Sequence, residues 1–240
     1  MSVLRFRDRL LDTLRLVRPL LDVPDVLVLG SQVPNLLEPD AASTLVVSLD
    51  VDIGVPVDRH ETCRRILASL SGVRPSPEEP SVWLPEAPGL LEVNVVGIDR
   101  SIEDVSDSYV LADAHLPLIV FGPLSLLVEG PRLELEALSV PLPLLSTLAL
   151  EKLLTERSGV KGERDLLVVA ALLAIASPQE AADVAVRYRR LSPALRHQVR
   201  SNLALLSLLP QRPGMPDPRP LRRSVAALLA ACETKEEEAP

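Results

Sequence analysis

The stretch Ser48-Leu49-Asp50-Val51-Asp52-Ile53-Gly54 sets two carboxylates at alternate positions of a run that is otherwise mostly apolar. Successive side chains of an extended strand point to opposite faces, so Ser48, Asp50 and Asp52 share one face and Leu49, Val51 and Ile53 the other. Two like charges on one face of a half-buried strand repel each other, and burial adds the cost of taking both out of water. A divalent cation removes that cost, because carboxylate oxygens about 5 to 7 Å apart can bracket Mg²⁺ and a substrate phosphate. A strand edge with its aspartates in solvent would carry the same pattern. The longer segment Thr44 to Val55, rich in Val and Leu, predicts one long strand.

Upstream, residues 3 to 21 set Leu4, Leu10, Leu11, Leu14, Val17 and Leu21 at helical spacings, and Pro24 ends that helix. Asp25-Val-Leu-Val-Leu-Gly30 predicts a short buried strand that stops on glycine. The Gly30-Ser31 turn can offer backbone N–H groups and a hydroxyl to an anion, although Gly-Ser after a strand also serves as a plain turn. Gln32 to Ser43 contains Pro34, Asn35, Pro39 and Asp40, which leaves room for one short helix at most. Downstream, Val57 to Leu70 predicts a helix with Glu61, Arg64 and Arg65 outward and Ile66, Leu67 and Leu70 inward. Arg74 to Pro80 reads as a loop. Strands follow at Ser81 to Leu84 and Leu90 to Gly97, around a Pro88-Gly89 turn, and in the second of them Glu92 and Asn94 share a face. Asp99 to Ser108 reads as acidic loop or short helix, and Tyr109 to Val140 as several short apolar pieces. Roughly four to six strands and three helices make an α/β (α+β) core, a small mixed sheet flanked by helices.

The periodicity changes at Pro141. Leu144 to Arg157, Arg164 to Ala176, Gln179 to Leu191 and Pro193 to Leu209 are helical in pattern. The proline-rich Pro210 to Pro220 reads as a linker, Leu221 to Cys232 as a last helix, and Glu233 to Pro240 as a disordered charged tail. This divides the chain into an α/β domain at 1–142, a helical region at 143–232 and a tail at 233–240.

Composition narrows the function classes. Apolar residues make up 47%, which argues against a disordered chain, whereas aromatics are only 2% and leave few ring platforms for stacking bases. A net charge of −8 argues against broad, unspecific nucleic-acid binding, which depends on many Lys and Arg. Arg187, Arg189, Arg190, Arg196 and Arg200 form a local basic cluster that a solvated helical face also explains. Two distant cysteines make no disulfide framework, so a reducing cytoplasm is the expected compartment. The N-terminal residues lack a signal-peptide pattern. The longest uncharged apolar stretch, Leu166 to Ala176, falls short of the roughly 20 residues that span a bilayer, so no membrane partner is expected. His60 and Cys63 lie one helical turn apart and His115 is a third candidate ligand, but no matching pair completes a zinc site. No Gly-x-Ser-x-Gly elbow, P-loop or dinucleotide fingerprint occurs. Trp83 reads as packing.

The order strand, Gly30-Ser31, irregular segment, strand with Asp50 and Asp52, then Glu92 on a later strand resembles the DNA polymerase β-type nucleotidyltransferase superfamily. The segment Leu150 to Arg157, followed by Lys161 and Arg164-Asp165, is similar to the lysine-then-aspartate helices of its minimal members, which include abortive-infection toxins and antibiotic-modifying enzymes. The resemblance spans residues 25 to 170. It implies that Gly30 and Ser31 hold nucleotide phosphates, and that Asp50, Asp52 and Glu92 bind two Mg²⁺ ions and carry catalysis. Lys152 would contact the triphosphate, and Asp165 would support the nucleotide site. The implied reaction moves NMP from an NTP to an acceptor hydroxyl on a small molecule, RNA or protein, with an antitoxin as a possible partner. A binding or regulatory protein without catalysis on the same fold is the alternative. The gap of 18 residues between Ser31 and Asp50, and a glutamate where the third acid is usually aspartate, depart from the family pattern.

Overall fold

Strand β2, Asp50–Pro56, and strand β5, Glu92–Ile98, run parallel at the centre of a mixed sheet. Val51, Ile53, Val55, Val93 and Val95 are at most 1% exposed, so one face of this pair is fully core. Each such side chain stabilises the fold by roughly 1.5 to 3 kcal/mol relative to exposure, which fixes the register, since a slip of one residue would bury Asp50 and Asp52 instead. The computed structural model describes residues 3–38, 48, 50–135, 137–155, 159–211 and 217–233.

The fold is mixed α/β with a helical C-terminal region. Two compact units are formed by the described residues. The first comprises those of Met1–Val33 and Val47–Leu144, the second those of Pro34–Val46 and Leu145–Pro240.

In the first unit, α1 (Val3–Leu16) and α2 (Arg18–Leu21), with Val17 between them, bury Leu10, Leu14, Val17 and Leu21 of the expected stripe and Phe6 and Leu20 besides, while Leu11 is half-buried. Strand β1 (Leu27–Val28) pairs antiparallel with β2. It is shorter than the six-residue run from Asp25 suggests, and left-handed residues bracket that run, Asp25 with φ of 65° and Gly30 with φ of 72°. A short helix, α3 (Gln32–Leu37), follows the Gly30 turn, and the helix expected over 57–70 opens with a 3-10 turn at Val57–Arg59 and continues as α4, His60–Ser69. Cys63 and Leu67 are its buried residues, while Ile66 and Leu70 are half-buried.

The remaining strands are β3 (Val73–Pro75), β4 (Val82–Pro85), β6 (Ser108–Leu111) and β7 (Leu118–Phe121). Strand β5 forks along its length: its first half pairs antiparallel with β4, and Gly97 pairs parallel with Val120 of β7. The described sheet thus reaches seven strands, more than the sequence pattern suggests. The surplus is short edge strands. β3 occupies the segment expected to be loop, where Pro75 is tolerated because only β4 pairs with it. A separate hairpin joins β8 (Leu133–Leu135) and β9 (Leu138–Val140). Asp99 to Ser108 holds no helix. Asp99 and Asp104 instead accept from the backbone and hydroxyl of Ser101 and Ser106, the local bonds with which Asp outcompetes helix. Trp83 is buried on β4, as packing requires.

The second unit contains α5 (Leu145–Leu154), α6 (Gly159–Ile175), α7 (Pro178–Tyr188), α8 (Pro193–Leu208) and α9 (Arg222–Glu233). Helix α5 is buried over nearly its whole length. Gln198 and Asn202 of α8 donate to Leu154 O and Leu153 O at 2.8 and 2.7 Å, satisfying carbonyls that the end of α5 leaves open. Ser177 caps α7 in a reciprocal box with Glu180. The expected strand residues 44 to 47 and 49, part of the 210–220 linker and the tail beyond Glu233 lie outside the described residues. No helix among those described is long and apolar enough to cross a membrane.

Candidate active site

The carboxylates meet where β2 and β5 run side by side. Asp50 lies opposite Glu92 and Asp52 opposite Asn94, so four polar side chains share the face turned away from the valine core. Asp50, Asp52 and Asn94 are half-buried and Glu92 is exposed. The start of β5 is held by α1: Thr13 accepts from the N–H of Leu91 at 2.9 Å, and Arg9 donates to Leu90 O at 3.2 Å and to Gly89 O. Glu92 therefore follows a segment pinned to α1.

Asp52 is positioned from two sides. Asn94 Nδ2 donates to its Oδ1 at 2.9 Å. Against its Oδ2 stands Gly30, with φ of 72°, where an added Cβ would approach to 2.6 Å. Only glycine combines that left-handed backbone with so close an approach. The Gly30-Ser31 turn thus abuts the second aspartate of β2, and the N–H of Leu29 bonding to Asp52 O at 2.9 Å fixes their register. Asp50 accepts from the Ser48 hydroxyl, and its backbone carbonyl from Gln32 Nε2 at 2.6 Å. The alternation in Ser48-x-Asp50-x-Asp52 already placed Ser48 on this face. Asn94 shared the face of Glu92 in the sequence pattern, but its bond to Asp52 depends on the register between strands 42 residues apart, and Gln32 had no local signal.

Among the described residues, no three His, Cys, Asp or Glu side chains form a ready-made metal-binding group. Mg²⁺ does not demand one. It is usually held by one or two carboxylates together with water and substrate phosphates. Asp50 and Asp52 offer oxygen donors of that kind, with Glu92 beside Asp50, so the donor set fits a hard divalent cation.

Lys152 and Asp165 belong to the second unit. Lys152 Nζ lies 3.2 Å from Glu151 Oε2 and 3.7 Å from Asp165 Oδ1, and all three residues are buried. The structure brings these two expected site residues together as an internal ion-pair cluster, where losing one partner would strand a buried charge. His60 is engaged through its ring with Leu116 O at 2.8 Å. The Cys63 thiol is pushed up to about 11 by burial, which suits packing better than metal binding. A scan against protein-family models and a search of the curated proteins both find no match to this chain.

Proposed function

We propose that the first unit is a Mg²⁺-dependent nucleotidyltransferase that moves NMP from an NTP to an acceptor hydroxyl. The single observation that carries this reading is the register of β2 against β5, which sets Asp50 beside Glu92 and Asp52 beside Asn94 on one open face, with the Gly30-Ser31 turn packed against Asp52. In this reading the turn receives phosphate oxygens, through the Ser31 hydroxyl and neighbouring backbone N–H groups. Asp50 and Asp52 would hold the metal, with Glu92 beside Asp50, and the metal when bound supplies positive charge at the reacting phosphate. Asn94 keeps the Asp52 carboxylate turned one way, so that its orientation is set before substrate arrives.

The acceptor oxygen forms its bond to the α-phosphorus while the bond to the bridging oxygen of pyrophosphate breaks. The proton of the acceptor hydroxyl passes to Glu92, whose exposed position leaves it reachable from solvent and acceptor alike. Inside the second unit, Lys152 pairs with both Glu151 and Asp165.

A second reading, nucleotide binding without transfer, is favoured by the protein hydrogen bonds that both aspartates already accept, Asp52 from Asn94 and Asp50 from Ser48. Melting curves with Mg²⁺ and NTP separate both readings from a site that binds nothing. Ligand at about 100 times Kd stabilises the native state by about 2.7 kcal/mol, so wild type should melt higher while Asp52→Asn gains little. No shift with any NTP would overturn both readings. A shift without labelled product would select the second.

A further inference from the structure

Three strands of the large sheet have only one pairing partner among the described residues: β1, β3 and β6. Two of these edges are protected. Strand β1 is two buried residues long, with Val28 N–H already bonded to Pro141 O. Strand β3 ends in Arg74 and Pro75, residues that discourage a further strand. Strand β6 has neither device, for Ser108-Tyr109-Val110-Leu111 contains no charge and no proline.

This edge is also apolar and in solvent. Val110 is 62% exposed, Ile119 40% and Phe121 36%. The pairs Val110↔Ile119 and Ser108↔Phe121 put these three on one face of the β6–β7 ribbon. The surroundings are acidic: from Asp99 to Asp113 the chain carries five carboxylates against one arginine, Arg100, which is paired with Asp25, and of the five Asp113 lies 3.8 Å from Arg64 of α4. Hydrogen bonds from Ser101 and Tyr109 hold the Asp99 carboxyl below the usual carboxylate range, those from Ser106 do so for Asp104, and backbone N–H groups of His115 and Leu116 for Asp113. The approach to β6 is held in place by Gly122, where a Cβ would collide with the backbone oxygens of Val105 and Asp107 at 2.1 and 2.4 Å.

We propose that β6 is a docking edge for a basic, extended segment of a protein partner, which adds to the sheet as a further strand. Main-chain hydrogen bonds would supply affinity, Val110, Ile119 and Phe121 would take an apolar side chain, and the flanking carboxylates would select Lys or Arg on either side of it. A second copy of this chain is the poorer occupant. An antiparallel self-pairing centred on Val110 sets Asp107 opposite Asp113 in both halves, between chains that each carry a net charge of −8. The inference is independent of the nucleotidyl-transfer reading.

The test uses the full chain and three labelled synthetic peptides of about eight residues: one alternating Lys with Val, one alternating Glu with Val, and the first with alternate amides N-methylated. Fluorescence anisotropy should give the Lys peptide a Kd at least about ten-fold lower than either other peptide, and binding should weaken as salt rises. Val110→Lys and Asp107→Arg should each weaken it about ten-fold or more, with unchanged circular dichroism confirming the fold. Amide exchange of Ser108 to Leu111 should slow on binding. Equal binding of the N-methylated peptide, or full binding by Val110→Lys, would overturn strand addition. Equal binding of the Glu peptide would overturn the basic partner. Dimerisation that Val110→Lys abolishes, seen by sedimentation, would replace the partner with a second copy.

Discussion

Replacing Gly30 with alanine asks two separable things of the site. The first is backbone: φ at Gly30 is 72°, and a left-handed conformation costs an L residue about 1 to 2 kcal/mol. The second is space: the new Cβ would stand 2.6 Å from Asp52 Oδ2, which real Cβ atoms do not do. The atom in the way ends a side chain, so the Asp52 carboxylate can turn aside. Turning gives up the 2.9 Å bond from Asn94, a hydrogen bond to a charged group worth about 1.5 to 3 kcal/mol. Gly30→Ala should therefore destabilise the protein by roughly 2.5 to 5 kcal/mol. In an Asp52→Ala background there is no carboxylate to displace, and the same change should cost only the backbone share, about 1 to 2 kcal/mol. Urea unfolding of the four proteins of this cycle gives the coupling directly. A cost for Gly30→Ala below about 0.5 kcal/mol, or the same cost in both backgrounds, would refute the contact between the turn and Asp52.

Gly122→Ala should be worse than a typical overpacking change, about 3 kcal/mol or more by urea unfolding, because backbone carbonyls of Val105 and Asp107 stand in the way and cannot rotate clear. Ser177→Ala removes the side-chain cap of α7 and should cost about 1 kcal/mol in the same assay, with Glu180→Ala non-additive because both bonds belong to one capping box. Asp183 is held below the usual carboxylate range by Arg187, which donates at 2.7 Å, and by Ser146. A depressed folded-state value means that its stabilisation is present above the unfolded-state pKa, about 3.9, and is lost as pH falls through the folded one. The melting-temperature gap between wild type and Asp183→Asn should accordingly be widest near neutrality and close below about pH 4. A constant gap would show that the loss is packing rather than charge.

What the sequence disclosed and what it withheld differ by the range of the interaction. The alternation in Ser48 to Gly54 and Glu92 to Asn94 assigns faces without any knowledge of pairing, because the strand period is a local property. The mixed α/β class and the helical C-terminal region follow equally from local periodicity. The pairing Asp50↔Glu92 is not local, and the bond from Asn94 to Asp52 follows only once that register is known. Strand β3 is not legible in the sequence because Arg74 and Pro75 read as loop, yet an edge position needs little β propensity. The apolar run from Asp25 reads as a longer strand than β1 because packing buries it beyond the two residues that pair with β2. Lys152 illustrates the opposite limit. A lysine on a helix carries no sequence mark of its partners, and Glu151 and Asp165 engage it inside the second unit.

Whether this acidic face transfers nucleotides can be settled by following the label of each NTP in parallel reactions. The 240-residue chain with Mg²⁺ is incubated with α-labelled or γ-labelled NTP, in the presence of RNA, protein and small-molecule acceptor pools. Transfer of NMP moves the α label onto an acceptor and releases the γ label as pyrophosphate, whereas phosphoryl transfer would move the γ label instead. The account expects acceptor labelled from the α position only, abolished by chelating Mg²⁺ and reduced by at least about a hundred-fold in Asp52→Asn. Label moving from the γ position, or α labelling undiminished in both Asp50→Asn and Asp52→Asn, would contradict it.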